Sequence, residues 1–224
     1  MIRVNLTAIV PCRNEAPSIA SVIDELHSIG VDQIIVALDP ASTDGTGKLA
    51  EAAGARVVVA AASGYDSPCL SALEDLRSSG FSGSVLFLDA GNKYVMSSIG
   101  DLLDAVDPVA DITFGIRDNQ WRWHQRLGNA MFRLAVLVRY RHNMHDVSSV
   151  RVAKMSILNQ LNFEDRQFSL PFQTVLHALA RGMTLHYVPI RCTQTRVGVS
   201  IVSGQWRNSL RAAKQMGLSF IRVR

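Results

Sequence analysis

The chain has 224 residues, 48% of them hydrophobic, enough for one sizeable core and too apolar for a disordered or low-complexity protein. Its three cysteines, Cys12, Cys69 and Cys192, form no CxxC pair, so neither a disulfide framework nor a thiolate zinc site is implied. The net charge of +4 conceals a division: residues 1–116 carry 6 Lys/Arg against 15 Asp/Glu, a balance of −9, and residues 117–224 carry 17 against 4, a balance of +13. A second half this basic suits an anionic partner: phosphate, lipid headgroups or nucleic acid.

No charged segment followed by an apolar core opens the sequence, so no signal peptide is expected. The longest apolar run, Ala130 to Val138, is broken by Arg133 and falls well short of the ~20 residues of a membrane span. A cytoplasmic protein that does not cross the membrane is the expectation.

In chain order, Leu6 to Val10 reads as an apolar strand, followed by Pro11-Cys12-Arg13-Asn14-Glu15. Ser18 or Pro17 opens an amphipathic helix through about Ile29, with Ile19, Val22, Ile23 and Leu26 on one face and Gly30 as its stop. Ile34 to Leu38 is a second strand, ending at Asp39. Thr43 or Asp44 is placed to cap the helix from Gly47 to Ala53, which Gly54 ends. Arg56 to Ala61, Ser67 to Ser78 and Ser84 to Leu88 read as strand, helix and strand, the last ending at Asp89. Such alternation predicts an α/β fold, a mainly parallel sheet flanked by helices. In such a sheet the strand carboxyl ends share one edge, so Asp39 and Asp89 face a common crevice, where open α/β sheets place nucleotide ligands. Neither the GxGxxG fingerprint nor a P-loop is present around Gly45-Thr46-Gly47-Lys48, which argues against a Rossmann dehydrogenase or a P-loop enzyme.

Three stretches, AIVPCRNEAPSI, IIVALDPASTDGT and SVLFLDAGNKY, resemble the nucleotide-sugar half of family 2 glycosyltransferases, which have the GT-A fold. Further on, HDVSSVRVAK, FSLPFQTVLHALARGMTLHYVPI and TRVGVS resemble the second half of its polyprenyl (dolichol) phosphate mannosyltransferase branch. The resemblance spans about residues 5–202 in the right order. It implies one GT-A domain over 1–204, with a nucleotide-sugar half at 1–116, an acceptor half at 117–204, and a basic amphipathic tail at 205–224. It assigns Pro11, Arg13, Glu15 and Asp39 to the nucleoside, Arg196 and Ser200 to the diphosphate through the RxGxS-like loop Arg196 to Ser200, and Asp146 to positioning the acceptor or taking its proton.

Departures cluster around that site. The family's second acidic residue after Asp39 is Pro40, and its DxD motif reads Asp89-Ala90-Gly91, followed by Asn92 and Lys93. The acidic pair holds Mg²⁺ or Mn²⁺ against the leaving diphosphate. Here Asp89 is the one remaining metal candidate, so metal dependence is expected to be weak or absent. Lys93 is then a candidate to pair with the diphosphate as a point charge in place of the cation. A helix glutamate of the branch is missing at Pro171-Phe172-Gln173, and the lysine after Ser200 is Ile201.

Asp111 to Gly115 reads as a short strand, Phe168 to Arg181 as a helix and Thr184 to Val188 as a strand. Trp121 to Met144 is a basic amphipathic segment, with apolar Trp121, Trp123, Leu127, Met131, Leu134 and Val138 at helical spacing among five arginines. That composition fits a core helix with a wet edge, a helix lying on anionic lipid, or a single-strand nucleic-acid surface; the resemblance favours an acceptor segment near the membrane. His142-x-x-His145 would align two imidazoles on a helical turn, but no third metal ligand is spaced for it.

The function expected is transfer of a hexose from a nucleotide-diphosphate sugar to a polyprenyl phosphate or other small acceptor, with inversion implied by the resemblance. The alternatives are a GT-A-like binding protein without turnover and an enzyme of this fold with an altered reaction. Nucleic acid is not expected as a partner. A peripheral site at the inner face of the membrane is, and an exposed apolar face on the Trp121 to Met144 segment would permit a homodimer.

Overall fold

The computed structural model describes residues 5–91, 94–118, 123–146, 148–164 and 169–193, with residues 123–128 described by backbone alone. Among the described residues seven strands form one sheet: β1 (Leu6–Cys12), β2 (Gln33–Leu38), β3 (Arg56–Val59), β4 (Ser84–Phe87), β5 (Ile112–Arg117), β6 (Arg151–Lys154) and β7 (Leu185–Ile190). Their order is β3-β2-β1-β4-β6-β5-β7. The first four strands are mutually parallel. β6 runs antiparallel to both its neighbours, β4 and β5, and β7 is parallel to β5. Six strands therefore share one direction, and β6 begins at the edge where they end.

Seven helices among the described residues flank the sheet: α1 (Ile19–Ser28), α2 (Thr46–Ala52), α3 (Asp66–Ser78), α4 (Met96–Asp104), α5 (Trp123–Tyr140), α6 (Met155–Leu158) and α7 (Leu170–Ala180). Two buried clusters show how they divide. One contains Val22 and Leu26 of α1, Ala50 of α2 and Leu102 of α4; the other contains Leu73 of α3, Val136 of α5 and Val175 of α7. Successive β1 side chains feed opposite clusters, Ala8 and Val10 one and Ile9 the other, as the two-residue pleat requires. Burying each such Leu, Ile or Val contributes about 2 kcal/mol.

The first-half alternation agrees with the expectation from sequence to within two residues at each element end. Pro11 sits inside β1 at little cost. Residues 7 and 9 direct their backbone groups toward β4, and that pairing stops at Ile9, so the missing N–H of residue 11 faces no ladder partner. One cap is corrected. The N-cap of α2 is Gly45, at φ +83, and neither Thr43 nor Asp44 occupies that position. Asp44 works from one residue earlier, accepting from Thr46 N–H at 3.1 Å. In the second half, α5 ends at Tyr140, so His142 and His145 do not share a helical turn. Helices α4 and α6 have no counterpart among the expectations from sequence, and β6 is a strand within the HDVSSVRVAK motif.

Candidate functional site

Asp39, Asp89 and Glu15 lie in loops just past the ends of β2, β4 and β1, and Asp146 lies in the segment that enters β6. All four are therefore at one edge of the sheet. The loops of the first half are stitched together there. Asn14 N–H donates to Ser42 Oγ at 3.0 Å, and Asn14 Oδ1 accepts from Thr43 N–H at 2.8 Å. Glu15 N–H donates to Thr46 Oγ1 at 3.0 Å, and Ala16 N–H to Asp44 Oδ2 at 2.9 Å. Asn14 adopts φ 54, a left-handed conformation that its amide bonds to residues 42 and 43 stabilise locally.

Asp39 is buried and engages backbone with both oxygens: Oδ1 accepts from Ala41 N–H at 2.8 Å and Oδ2 from Gly64 N–H at 2.9 Å. It thus ties the β2–α2 turn to the loop after β3. Each oxygen keeps a second lone pair, so a base or ribose donor is still accommodated. Glu15 is also buried, and its Oε2 accepts from Ser18 Oγ at 3.1 Å, which also reaches Ala90 O at 3.1 Å. That hydroxyl joins the β1–α1 loop to the segment after Asp89. Pro11 is buried in β1, and Arg13 is half-buried beside it.

From the second half come two groups that sequence reasoning did not single out. Arg117, the last residue of β5, grips Asp146 with both arms of its guanidinium: Nε to Oδ2 at 2.9 Å and Nη2 to Oδ1 at 3.1 Å. The Asp146 side chain is 4% exposed and that of Arg117 is 26% exposed, so the pair lies at the rim of the crevice with its anion inward. Burial pulls the Arg117 pKa down, but the charge and hydrogen bonds of Asp146 outweigh it and hold the guanidinium above its ordinary value. The second group is Ser149, whose Oγ donates to Asp89 Oδ2 at 2.9 Å. The pattern that could have flagged Arg117 is an arginine closing an apolar strand, Ile112 to Ile116, at the same edge as Asp39 and Asp89.

Acidity dominates the first-half side of the edge. Burial, then the charges of Glu15, Asp44 and Asp39, push the Cys12 thiol up to about 12, so it stays protonated and is no nucleophile at neutral pH.

No family model matches the chain. An uncharacterized glycosyltransferase of Mycobacterium tuberculosis is 28% identical over 209 residues, which span 92% of this chain and 93% of the relative. Polyprenol monophosphomannose synthase of Mycolicibacterium smegmatis is 25% identical over 217 residues, 88% of this chain and 80% of the relative. Among solved structures, glucosyl-3-phosphoglycerate synthase from M. tuberculosis, in complex with Mn²⁺, UDP and phosphoglyceric acid, superposes with a TM-score of 0.75 at 17% identity. That superposition covers 96% of this chain and 77% of the other. The chain is a glycosyltransferase of the GT-A fold. The resemblance to family 2 read from its motifs fits these relatives.

Within this GT-A edge, a divalent cation has few protein ligands. Among the described residues no three His, Cys, Asp or Glu side chains cluster to hold a metal ion. Gly91 offers no carboxylate, which leaves Asp89. Mg²⁺-type cations are often held by one or two carboxylates, substrate phosphates and retained waters, so Asp89 fits a cation that arrives with a diphosphate. It does not fit a preformed protein cage. The two histidines that invited a metal reading are otherwise employed: His142 Nε2 is 2.9 Å from the Tyr187 hydroxyl, and the His145 ring meets the Tyr187 ring edge-on. Gln173, where the branch has an acidic neighbour, bonds Glu164 N–H through Oε1 at 2.8 Å and Glu164 O through Nε2 at 2.7 Å, a structural clamp. Lys93, Arg196, Ser200 and the tail at 205–224 lie outside the described residues.

Proposed function

We propose that this glycosyltransferase moves a hexose from a nucleotide-diphosphate sugar to a polyprenyl phosphate or another small phosphorylated acceptor, with inversion at the anomeric carbon. The observation that carries the reading is the meeting, at one sheet edge, of the acidic nucleoside loops, Asp89 and the Arg117–Asp146 ion pair. A nucleotide donor is supported by the UDP and UDP-glucose complexes of structurally similar synthases, and a lipid acceptor by the relative named polyprenol monophosphomannose synthase.

In this scheme Pro11 and Arg13 line the nucleoside pocket, and Glu15 and Asp39 accept hydrogen bonds from base or ribose. The acceptor oxygen forms its bond to the anomeric carbon as the bond to the diphosphate breaks on the opposite face. Negative charge then collects on the departing nucleoside diphosphate, where fixed cations stabilise it most. Lys93, Arg196 and Ser200 are assigned to that diphosphate. Asp89 would hold Mg²⁺ or Mn²⁺ there, and the ion would supply further neutralisation. A phosphate acceptor is already ionised at neutral pH, so no general base is required. Asp146, with both oxygens given to Arg117, serves to hold that guanidinium toward anionic substrate and not to take a proton.

The acceptor side extends along α5, where Met131, Leu134 and Val138 are 65%, 61% and 75% exposed at helical spacing. Exposed Arg133, Arg139 and Arg141 flank them, and α5 contains no Asp or Glu. An apolar stripe in a cationic frame suits the face of an anionic bilayer, which places the enzyme peripherally at the cytoplasmic side of a membrane. Two copies meeting through this face would set arginines against arginines, which disfavours a homodimer there. No helix among the described residues is long and apolar enough to cross a membrane.

A second reading, a binder without turnover, draws on Pro40, Gly91, Phe172 and Ile201, where family positions have lost their usual groups. A thermal-shift screen of UDP, GDP, CMP, dTDP and their sugars, each with Mn²⁺ or with EDTA, separates the cases. One nucleotide family should raise the melting temperature, and its sugar should then be consumed. A shift that survives EDTA would assign the diphosphate to Lys93; a strict Mn²⁺ requirement would assign it to Asp89 and the cation. A melting temperature indifferent to every nucleotide would contradict the proposal.

A further inference from the structure

The position of Ser149 follows from the one reversed strand. In the β4–β6 pairing Ser84 faces Lys154, Val85 faces Ala153, Leu86 faces Val152 and Phe87 faces Arg151. Continued two residues past the strand ends, that register sets Asp89 opposite Ser149, and the 2.9 Å bond from Ser149 Oγ to Asp89 Oδ2 is the result. A parallel strand in the same place would finish at this edge and could not bring in a side chain just ahead of its first residue.

The hydroxyl is itself held. Tyr94 Oη lies 2.9 Å from Ser149 Oγ, and because the serine proton is directed to Asp89, the tyrosine is the donor of that bond. Tyr94 is buried, and burial, followed by the Asp89 charge, raises its pKa, which keeps it a neutral donor. Its backbone is fixed as well, by a bridge to Cys192 beyond β7. The Ser149 carbonyl accepts from Arg151 Nη1 at 2.9 Å, and the Arg151 guanidinium is fully buried and lies 3.9 Å above the Phe87 ring. Three side chains, those of Asp89, Tyr94 and Arg151, thus converge on one serine.

We propose that Ser149, backed by Tyr94 and Arg151, is the positioning residue of the transfer site: the Tyr94–Ser149–Asp89 chain fixes the carboxylate in the rotamer that meets the diphosphate and any cation on it. This rests on the reading of Asp89 given above. A carboxylate that works alone, without the second member of an acidic pair, depends the more on an external group to set its direction. Charge-assisted bonds of this kind are short and directional, and losing one costs about tenfold in a rate that depends on it.

The test uses the full chain with UDP-glucose and GDP-mannose as donors, following release of UDP or GDP in Mn²⁺, alongside melting temperatures. Ser149→Ala should lower kcat about tenfold, leave the donor KM within about twofold and lower the melting temperature by no more than about 4 °C. Tyr94→Phe should fall between it and the wild type. Ser149→Thr, which retains the hydroxyl, should restore the rate, and Asp89→Asn should lose more than any of them. A wild-type rate in Ser149→Ala, with Asp89→Asn inactive, would overturn the inference alone. So would a loss that tracks the melting temperature and that threonine does not rescue. A wild-type rate in Asp89→Asn would remove the reading of Asp89 and the inference with it. Failure of the wild type to consume either donor would count against the proposed function itself.

Discussion

The two sides of the crevice are held by opposite means. On the nucleoside side, Asn14, Ser42, Asp44 and Thr46 share a mesh of short bonds between polar side chains and backbone amides, none of them decisive. On the acceptor side the load falls on few contacts: the Arg117–Asp146 pair and the Ser149 hydroxyl. The difference teaches where a single substitution matters. A mesh of bonds worth about 1 kcal/mol each degrades gradually, whereas a buried ion pair fails at once when one partner leaves.

The largest expected effect is therefore at Arg117. Arg117→Met strands the 4%-exposed Asp146 carboxylate without its counter-charge and should cost about 3 kcal/mol in urea unfolding, with loss of turnover. Arg117→Lys keeps the charge but not the two-armed grip, and should recover part of the stability and little of the rate. An Arg117→Met variant as stable as the wild type would contradict the contrast between the two sides.

Asp44→Ala probes the mesh. It removes acceptors for Ala16 N–H, Thr46 N–H and the Thr46 hydroxyl, but Asp44 is exposed and water replaces part of what is lost. About 1 kcal/mol is expected by the same unfolding measurement, with weaker nucleotide binding and an unchanged kcat at saturating donor. A cost as large as that of Arg117→Met would erase the distinction.

A smaller effect is pH-dependent. Burial, then the neighbouring His145, lowers the His142 pKa below its ordinary 6.5. The unfolded chain consequently takes up a proton at that residue before the folded one does. Its contribution to stability is fully present above pH 6.5 and is lost as the pH falls toward the lower folded value. His142→Gln should flatten that part of the stability profile; an unchanged slope between pH 7 and 5 would refute the assignment. Smallest of all is Leu134→Glu with Val138→Glu on α5. Both side chains are more than half exposed, so stability should change by less than about 0.5 kcal/mol. Sedimentation with vesicles rich in anionic lipid should nevertheless fall sharply if that face meets a membrane, and persist if it does not.

Legibility in the sequence divides along the same line. Strands β1 to β4 are apolar runs bounded by Gly30, Gly54 and turn residues, and β2 and β4 place their polar successors, Asp39 and Asp89, at the edge by simple alternation of strand and helix. The bonds within the mesh connect loops that this alternation makes neighbours. The acceptor side depends on pairings that no local pattern announces. Arg151–Lys154 is a four-residue strand that begins with a buried arginine, and nothing in RVAK says that it runs against its neighbours. Once that reversal is known, Ser149 beside Asp89 follows by register. Arg117 and Asp146 are separated by 29 positions that include all of α5, so their pairing is a product of the sheet order and not of spacing. Helix α4 is hard to read for a humbler reason: Ser97, Ser98 and Gly100 dilute the apolar periodicity that Ile99, Leu102 and Leu103 do carry.

The measurement that tests the account most directly is transfer of a radiolabelled hexose, from the donor found by thermal shift, to a polyprenyl phosphate and, in parallel, to phosphoglyceric acid. It should be run with the wild type, Arg117→Lys and Ser149→Ala. The account predicts a glycosylated product from one acceptor in the wild type, and slower formation in both variants. Nucleotide binding without product from any acceptor, or variants as fast as the wild type, would contradict it.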